Sequence, residues 1–309
     1  MSTAAGRQDL AFPPIRSLGP DDLSRCVALS LDRGWSPERA KWSLLLTASE
    51  VFGIDAPDGR GLAGVVVLTR WGAGYACVGM MLVAARYGRR GLGRALMEHL
   101  LCAAGDDATV TLFATDLGRP LYEKLGFAAV RRNVAFTGQF RPSPDADNSK
   151  KHGVPGIVRV ATEADLPAIL AVDRAAFGAD RGRILTRLPA FAERIAVFEA
   201  AEPAGQRADT AGQGIVGYAA VWRNEPASAV IGPVVAPDAA AARRLVTELA
   251  VHARTSVRID LDPDRQELPG WADAHGLAPT SRNVVMARGP LVPRGTPERL
   301  FAPISVALA

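Results

Sequence analysis

The densest chemistry in this chain lies in Val83-Ala84-Ala85-Arg86-Tyr87-Gly88-Arg89-Arg90-Gly91-Leu92-Gly93-Arg94-Ala95-Leu96-Met97. An apolar run is followed by a glycine-rich turn and then by an amphipathic helical pattern. Such an order builds an anion cradle. Gly91 and Gly93 let the backbone approach a ligand closely and take up positive φ, and the unpaired amides at the helix start point at it. Arg89, Arg90 and Arg94 add full charges at the positive end of the helix dipole. A pyrophosphate suits that environment.

Two common phosphate loops fail on spacing. A Walker loop requires Gly-Lys-Ser/Thr, whereas Gly93 is followed by Arg94-Ala95. The dinucleotide fingerprint has different glycine spacing and an acidic residue about 20 positions on. The segment instead resembles the acetyl-CoA signature of the GNAT N-acetyltransferase superfamily: a Gln or Arg, two residues, Gly, one residue, then Gly or Ala. Gly91 and Gly93 match it. Gly88 stands where Gln or Arg is usual and Ala85 where Pro is common, so those contacts would come from backbone alone. A second segment, Gly118-Arg119-Pro120-Leu121-Tyr122-Glu123-Lys124-Leu125-Gly126-Phe127, resembles the closing helix of the same superfamily.

The resemblance implies acetyl transfer from acetyl-CoA, as co-substrate, to the primary amine of a small molecule, by direct attack in a ternary complex and without a metal. It implies that Tyr122 protonates the departing thiolate. A phenol, which ordinarily titrates near about 10, can donate to a thiolate whose thiol lies near about 8.5. It also implies cofactor contacts at Met81, Leu82, Val83, Gly88, Arg89, Arg90, Gly91, Leu92, Gly93 and Arg94, with main-chain groups near Met81 and Val83 holding the pantetheine. A backbone amide there would polarise the acetyl carbonyl. Acceptor recognition falls to Trp35, Trp42, Trp71 and Tyr75, each equally readable as core. The run Tyr75 to Val83 has no Asp, Glu or His to act as base, so deprotonation is expected through water. Asp116 is the nearest acid and reads better as a helix cap. A protein or peptide acetyltransferase and a non-catalytic acyl-CoA sensor remain the alternatives. Homodimers are common in the superfamily, and the sequence leaves the oligomeric state open.

The elements that must position these residues follow from periodicity. Pro14 to Ser17 reads as a strand, and Pro20-Asp21-Asp22-Leu23 opens a helix through Leu31. A second helix is expected with Ser36 as cap and Pro37 at its first position. Extended runs follow at Val51 to Asp55, Leu62 to Leu68 and Tyr75 to Val83, parted by Asp58-Gly59 and Gly72-Ala73-Gly74 turns. Then come a helix from Arg90 to Cys102, a strand from Val110 to Thr115, a short helix from Arg119 to Leu125 closed by Gly126, and a strand from Ala129 to Thr137.

Residues 138–156 are rich in Pro, Asp, Ser, Lys and Gly without apolar period, as in a linker. After them the pattern restarts. Ile157 to Val160, then Thr162-Glu163-Ala164-Asp165-Leu166, repeats the opening, and the run 229–235 parallels 77–83. Ala239 to His252, Val257 to Leu261, a helix near Trp271 and Gly276-Leu277 complete the parallel, which suggests duplication. The fold class expected is α/β (α+β): two tandem GNAT-like domains, each a mixed, mostly antiparallel twisted sheet flanked by helices. The boundaries expected are 1–140 for the cofactor-binding, catalytic domain, 141–156 for the linker and 157–309 for a degenerate second domain. In that second half, residues 235–243 contain no glycine and place Asp238 where a phosphate would lie. The half also resembles the degenerate domain of tandem GNAT proteins at residues 176–181, 231–234 and 299–303, and is expected to shape the acceptor pocket or a dimer surface. Asp173, Asp180 and Arg181 read better as structural ion pairs than as ligand contacts.

Composition bounds the rest. The chain has 309 residues, 48% hydrophobic and 22% charged, which suits two soluble domains. No apolar run approaches the roughly 20 residues of a membrane span. The amino terminus lacks the apolar core of a secretory signal, so a cytoplasmic protein is expected. Cys26, Cys77 and Cys102 are unevenly spaced in apolar segments and read as reduced, buried thiols. A net charge of +4 with scattered arginines favours an anionic cofactor over nucleic acid.

Overall fold

The computed structural model describes residues 11–72, 74–142, 153–201, 214–224, 228–265, 267–290 and 295–308. Residues 1–10 of the segment read for export, Ala73 of the second turn and most of the expected linker, 143–152, lie outside the described residues. The chain forms two compact units: residues 1–67 with 80–103, and residues 68–79 with 104–309. Strand β3 (Leu62–Arg70) and strand β4 (Tyr75–Val83) each contribute to both. Among the described residues no helix is long and apolar enough to cross a membrane.

The first unit begins with β1 (Arg16–Leu18), antiparallel to β2 (Glu50–Asp55). Between them run a 3-10 turn at Pro20–Asp22, helix α1 (Leu23–Asp32) and helix α2 (Arg39–Ala48). The amide of Gly19, the N-cap of the 3-10 turn, donates to Asp22 Oδ2 at 3.2 Å, while Asp22 makes no side-chain cap bond to α1 itself. The start of α2 differs from expectation. Its N-cap is Glu38 in the left-handed region (φ 42), not Ser36, and Pro37 lies before the helix rather than in its first turn. Glu38 is held there by Lys41, whose Nζ donates to Glu38 Oε2 at 2.5 Å in a pair almost wholly removed from solvent. Helix α3 (Leu92–Ala104) completes the unit, burying Leu92, Leu96, Met97, Leu100 and Leu101. It packs closely on β3: a Cβ on Gly64 would come within 2.8 Å of Leu96 Cδ1.

The second unit is built on one continuous run of paired strands. The start of β4 pairs parallel with β5 (Thr109–Ala114), and β5 pairs antiparallel with β12 (Ala278–Arg288). Next come β6 (Ala128–Gly138), β11 (Ser256–Leu261) and β10 (Ser228–Val235), followed by β9 (Ile215–Asn224), β8 (Arg194–Ala200) and β7 (Gly156–Val160). Most contacts are antiparallel; β4 with β5 and β10 with β11 are parallel. Strand β6 of the amino-terminal half thus lies between β12 and β11 of the carboxyl-terminal half. Nothing in the periodicity of β6 indicated that its neighbours would come from the other half.

Helices α4 (Arg119–Lys124), α5 (Leu166–Phe177), α6 (Gly182–Leu185), α7 (Leu188–Phe191), α8 (Ala239–His252) and α9 (Glu267–Ala274) flank this sheet. A short strand β13 (Leu300–Ala302) pairs with the end of β10. The core joins Phe198, Val221 and Ile231 of β8–β10 with Leu245 and Leu249 of α8 and Trp271 of α9.

The duplication is written into one ion-pair pattern. Arg16 on β1 binds Asp22, six residues on, and Asp55 on β2. Arg159 on β7 binds Asp165, again six residues on, and Glu199 on β8. The registers coincide, since Arg16 lies opposite Gly53 and Arg159 opposite Val197, each two residues before the second acid. Each guanidinium spans two carboxylates, which locks the first strand, the turn after it and the second strand together.

Candidate functional site

The turn before α3 is anchored from three sides. Asp32, at the end of α1, accepts the amide of Ala85 through Oδ2 at 2.7 Å. Arg86 donates to the carbonyl of Arg60 at 2.8 Å. Tyr87 is buried and meets Phe12 edge-on, with ring centroids 5.3 Å apart. With the preceding segment fixed, the chain turns at Gly88 (φ −59, ψ 151), passes through Arg89 at φ 58 and Gly91 at φ 83, and enters α3 at Leu92.

That path leaves a row of donors free. The first hydrogen bond into the helix runs from Ala95 to Gly91 at 3.0 Å, and the backbone amides of residues 89–94 donate to no acceptor among the described residues. Arg89 and Arg90 are exposed and form no ion pair among the described residues, while Arg94 pairs with Glu98 at 3.2 Å across one exposed turn of α3. The expectation for Gly93 is corrected here. It sits in the first turn of α3 without positive φ, and Arg89 takes the second left-handed position instead. A Cβ on Gly91 would meet nothing within 4 Å, so its conformation, not crowding, is what calls for glycine there.

At the other end of the expected cofactor path, the register of β4 on β5 runs from Tyr75 opposite Thr109 to Val78 opposite Leu112 and stops. Two residues later Met80 has φ 48, a left-handed residue inside a strand. Its side chain is buried. Met81 and Val83 follow half-buried and Leu82 buried.

Tyr122 is placed by α4 in the second unit. The helix starts after a turn in which Thr115 accepts the Gly118 amide through its carbonyl at 3.0 Å and its Oγ1 at 3.3 Å. Asp116, expected as a helix cap, is exposed and does not cap α4, whose N-cap is Gly118 without a side-chain cap bond. The Tyr122 ring packs edge-on against Phe127 at 6.0 Å, and its hydroxyl has no hydrogen-bond partner among the described residues. Burial pushes the phenol up to about 12.

The four aromatic residues expected around an acceptor do not share one environment. Trp42 is 0% exposed in the first unit and donates from Nε1 to Ser30 Oγ at 2.8 Å. Trp71, also 0% exposed, packs on Phe177 in the second unit. Both are core and offer a ligand no surface. Tyr75 stacks edge-on against Phe177 at 5.6 Å, with its hydroxyl 3.3 Å from Thr111 Oγ1. Trp35 alone is exposed. Of the cysteines, Cys26 and Cys77 are buried, as expected, and the Cys26 thiol is pushed up to about 12 by burial. Cys102 is exposed, contrary to expectation, because it lies on the outer face of α3.

The carboxyl-terminal half has the same strand, turn and helix in different condition. Asp238 is the N-cap of α8 and accepts the Ala241 amide at 2.7 Å and the Val154 amide at 2.6 Å. A carboxylate of the chain itself therefore holds the helix start where an anion would otherwise sit. The end of β10 is also taken: Val234 and Val235 pair with β13, and Ala236 donates to the Arg299 carbonyl at 3.0 Å. A Cβ on Gly232 would collide with the Pro303 carbonyl.

Residues 49–129 and residues 169–302 each match a family described as acetyltransferase (GNAT) domain. The chain is a tandem protein of the GNAT superfamily. It is 28% identical over 195 residues to the uncharacterized N-acetyltransferase YitH of Bacillus subtilis strain 168, a match spanning 62% of this chain and 62% of that protein. A crystal structure described as that of a candidate acetyltransferase from Pyrococcus horikoshii superposes with a TM-score of 0.75 at 18% identity, covering 99% of this chain and 100% of that one. A tandem GNAT protein from the clavulanic acid biosynthesis pathway gives 0.61 at 18% identity, over 90% and 98% of the two chains. At those identities the structures show the fold.

In this tandem GNAT protein, Asp173 and Arg181 form a fully buried pair, closed by the Tyr218 hydroxyl, which donates to Asp173 Oδ1 at 2.6 Å, and by Phe177 under the guanidinium at 4.2 Å. Asp180 turns outward to Arg174 and caps α6 through the Gly182 amide. The structural reading of all three stands. Sequence reasoning noticed residues 299–303 only through the resemblance and gave residues 304–308 no role. Of these, Ile304, Ala307 and Leu308 are buried, and the Ala307 carbonyl lies against Gly79 of β4 so closely that a Cβ there would collide. The alternation of small and apolar residues after Pro303 was the available signal.

Proposed function

We propose that the chain is an N-acetyltransferase that moves the acetyl group of acetyl-CoA to the primary amine of a small molecule by direct attack in a ternary complex. The observation that carries this reading is the run of unbonded amides at residues 89–94 beside Arg89 and Arg90. Donors in that number cost free energy when they go without acceptors, and the diphosphate of CoA supplies several at once. Gly88, Arg89, Arg90, Gly91, Leu92, Gly93 and Arg94 would hold it, with main-chain groups of Met81, Leu82 and Val83 holding the pantetheine.

Acetyl-CoA brings the activated thioester; the chain's own residues bind, orient and move one proton. Tyr122 keeps its proton at Oη across the physiological range, because burial disfavours the phenolate. Desolvation raises the affinity of a thiolate for a proton in the same way, so a buried phenol remains a usable acid toward a buried leaving group. The amino-terminal half, 1–140, carries this chemistry. The half from 157 onward is degenerate in this reading: Asp238 supports that at the anion position, and β13 does so along the backbone of β10.

The test is calorimetry of the intact protein with CoA and acetyl-CoA, followed by a panel of amines with free thiol as readout. One site per chain and thiol release with a subset of small amines are expected. No heat with either cofactor ends the proposal.

A further inference from the structure

The second unit contains a cleft of ≈ 60 Å³ whose walls mix aromatic and charged side chains. Phe113 on β5, Phe177 on α5 and Phe301 on β13 form its apolar side. The charged groups facing it are Arg131, Arg132, Arg181, Arg265, Asp260 and Asp262, with Asn133 beside them.

Half of these charges are already matched. Arg181 is spent on Asp173, and Arg132 on Asp264. Asp260 accepts both Arg258 nitrogens, at 3.1 and 2.8 Å, and the Asn133 amide at 3.3 Å. Arg131, Arg265 and Asp262 remain. Arg131 comes no nearer to Asp262 than 3.9 Å, beyond hydrogen-bond reach. Arg265 has no carboxylate partner among the described residues. Its Nη1 donates to the carbonyls of Glu298 at 3.1 Å and Leu300 at 2.9 Å, and its Nη2 to the carbonyl of Pro297.

Those carbonyls consume three of the five donors of the guanidinium and hold it in place over Phe301, 5.7 Å from the ring centroid. The Nε–H and one Nη2–H have no acceptor among the described residues. Nε and Nη2 form the edge through which an arginine takes a carboxylate in two parallel hydrogen bonds. Partial burial lowers the pKa of Arg265 from its usual value, with Asp262 opposing the shift and Arg131 adding to it.

We infer that this cleft is a binding site for a small monocarboxylate with an apolar body, the carboxylate bridging Arg265 and Arg131 and the body lying on Phe113, Phe177 and Phe301. Two unmatched cations against one unmatched acid leave a single positive charge to neutralise. A phosphate dianion would meet Asp262 and Asp260 in the same small space, so the charge balance selects the carboxylate. The residues that would bind it, Arg131 and Arg265 with the three phenylalanines, are not among those proposed to hold acetyl-CoA.

Calorimetry on the full chain, without acetyl-CoA, tests it with 3-phenylpropanoate and hexanoate as probes and with 3-phenylpropanamide and inorganic phosphate as controls. Saturable binding of the acids is expected, with the amide weaker by roughly tenfold or more from the lost charge-assisted bonds. Arg131→Gln should weaken acid binding by roughly tenfold. This residue lies exposed on β6, so its replacement leaves the fold intact, as circular dichroism would verify. Arg265→Gln should weaken binding further, although it also loosens the carbonyls of residues 297–300. No saturable binding of either acid at roughly 10 mM, equal affinity for acid and amide, comparable binding of phosphate, or unchanged affinity in Arg131→Gln would each overturn the inference.

Discussion

Asp238 accepts the backbone amide of Ala241 at 2.7 Å, a side chain of the protein occupying the helix start that in the amino-terminal half is left open at residues 89–94. Two copies of one supersecondary unit thus meet the same electrostatic demand in two ways. One closes the helix with its own carboxylate; the other leaves its amides without an acceptor among the described residues.

Replacing Asp238 by Ala should destabilise the protein by about 1 kcal/mol, the usual value of an N-cap, read as a shift in urea midpoint at constant slope. CoA stoichiometry should stay at one per chain, because β13 still covers the end of β10. A second saturable site in that variant would mean that Asp238 alone was the barrier.

Gly91 has φ 83, where a β-branched residue costs roughly 1–3 kcal/mol of backbone strain. Gly91→Val should therefore reorient the amides at the start of α3 and remove measurable CoA affinity. The folded baseline in thermal unfolding should persist. Retained affinity would separate cofactor binding from this turn.

Arg89→Gln combined with Arg90→Gln should weaken CoA binding by roughly tenfold or more and flatten its salt dependence, since both charges are exposed and screened. Titrations at two ionic strengths read both effects. If the double variant matched the parent at each, the arginines would be no more than a solvated surface.

Tyr122→Phe should leave acetyl-CoA affinity unchanged and lower turnover by about 10²–10⁴-fold, the usual worth of a general acid. With the phenol pushed up to about 12, the acid stays protonated through the accessible range. The turnover profile should then show no alkaline decline attributable to Tyr122 below about pH 10, in keeping with so high a titration. A decline near about pH 9 that vanished in the Phe variant would contradict this.

Asp22, Asp55 and Asp165 all titrate below the usual carboxylate range, chiefly through hydrogen bonds from Arg16 and Arg159. Depressed native pKa values give stability that is present above the unfolded carboxylate value near about 3.9 and lost as pH falls below it. Unfolding midpoints should be level from neutrality to about pH 5 and decline steeply beneath about pH 4. Arg159→Gln should shallow that decline, most through Asp165, whose side chain is 2% exposed.

Much of this molecule could be read residue by residue. The start of α3, the closing of α4 at Gly126, the span of β4 and the repeat of the Arg16 pattern at Arg159 all follow from local rules, namely apolar period, glycine conformation and caps. So did the cradle motif and Tyr122, because their recognition rests on residues close in sequence. Local rules failed where a neighbour distant in sequence decided. Glu38 rather than Ser36 begins α2, where Lys41, three residues on, holds it because tertiary packing buries that pair. Trp42 and Trp71 became core, and Cys102 surface, according to which face of each element met another.

Three features belonged to tertiary structure alone. β6 pairs with β11 and β12, and its own residues, exposed at the start of the strand and buried from Asn133 to Phe136, suit a strand without naming the neighbours on either side. Residues 300–302 close the end of β10, a contact between positions some 65 apart that leaves no periodic trace. The unmatched edge of Arg265 exists only because the carbonyls of 297–300 fold back onto it. Sequence determines what each segment can become on its own; which groups finish unpaired depends on what the whole chain brings beside them.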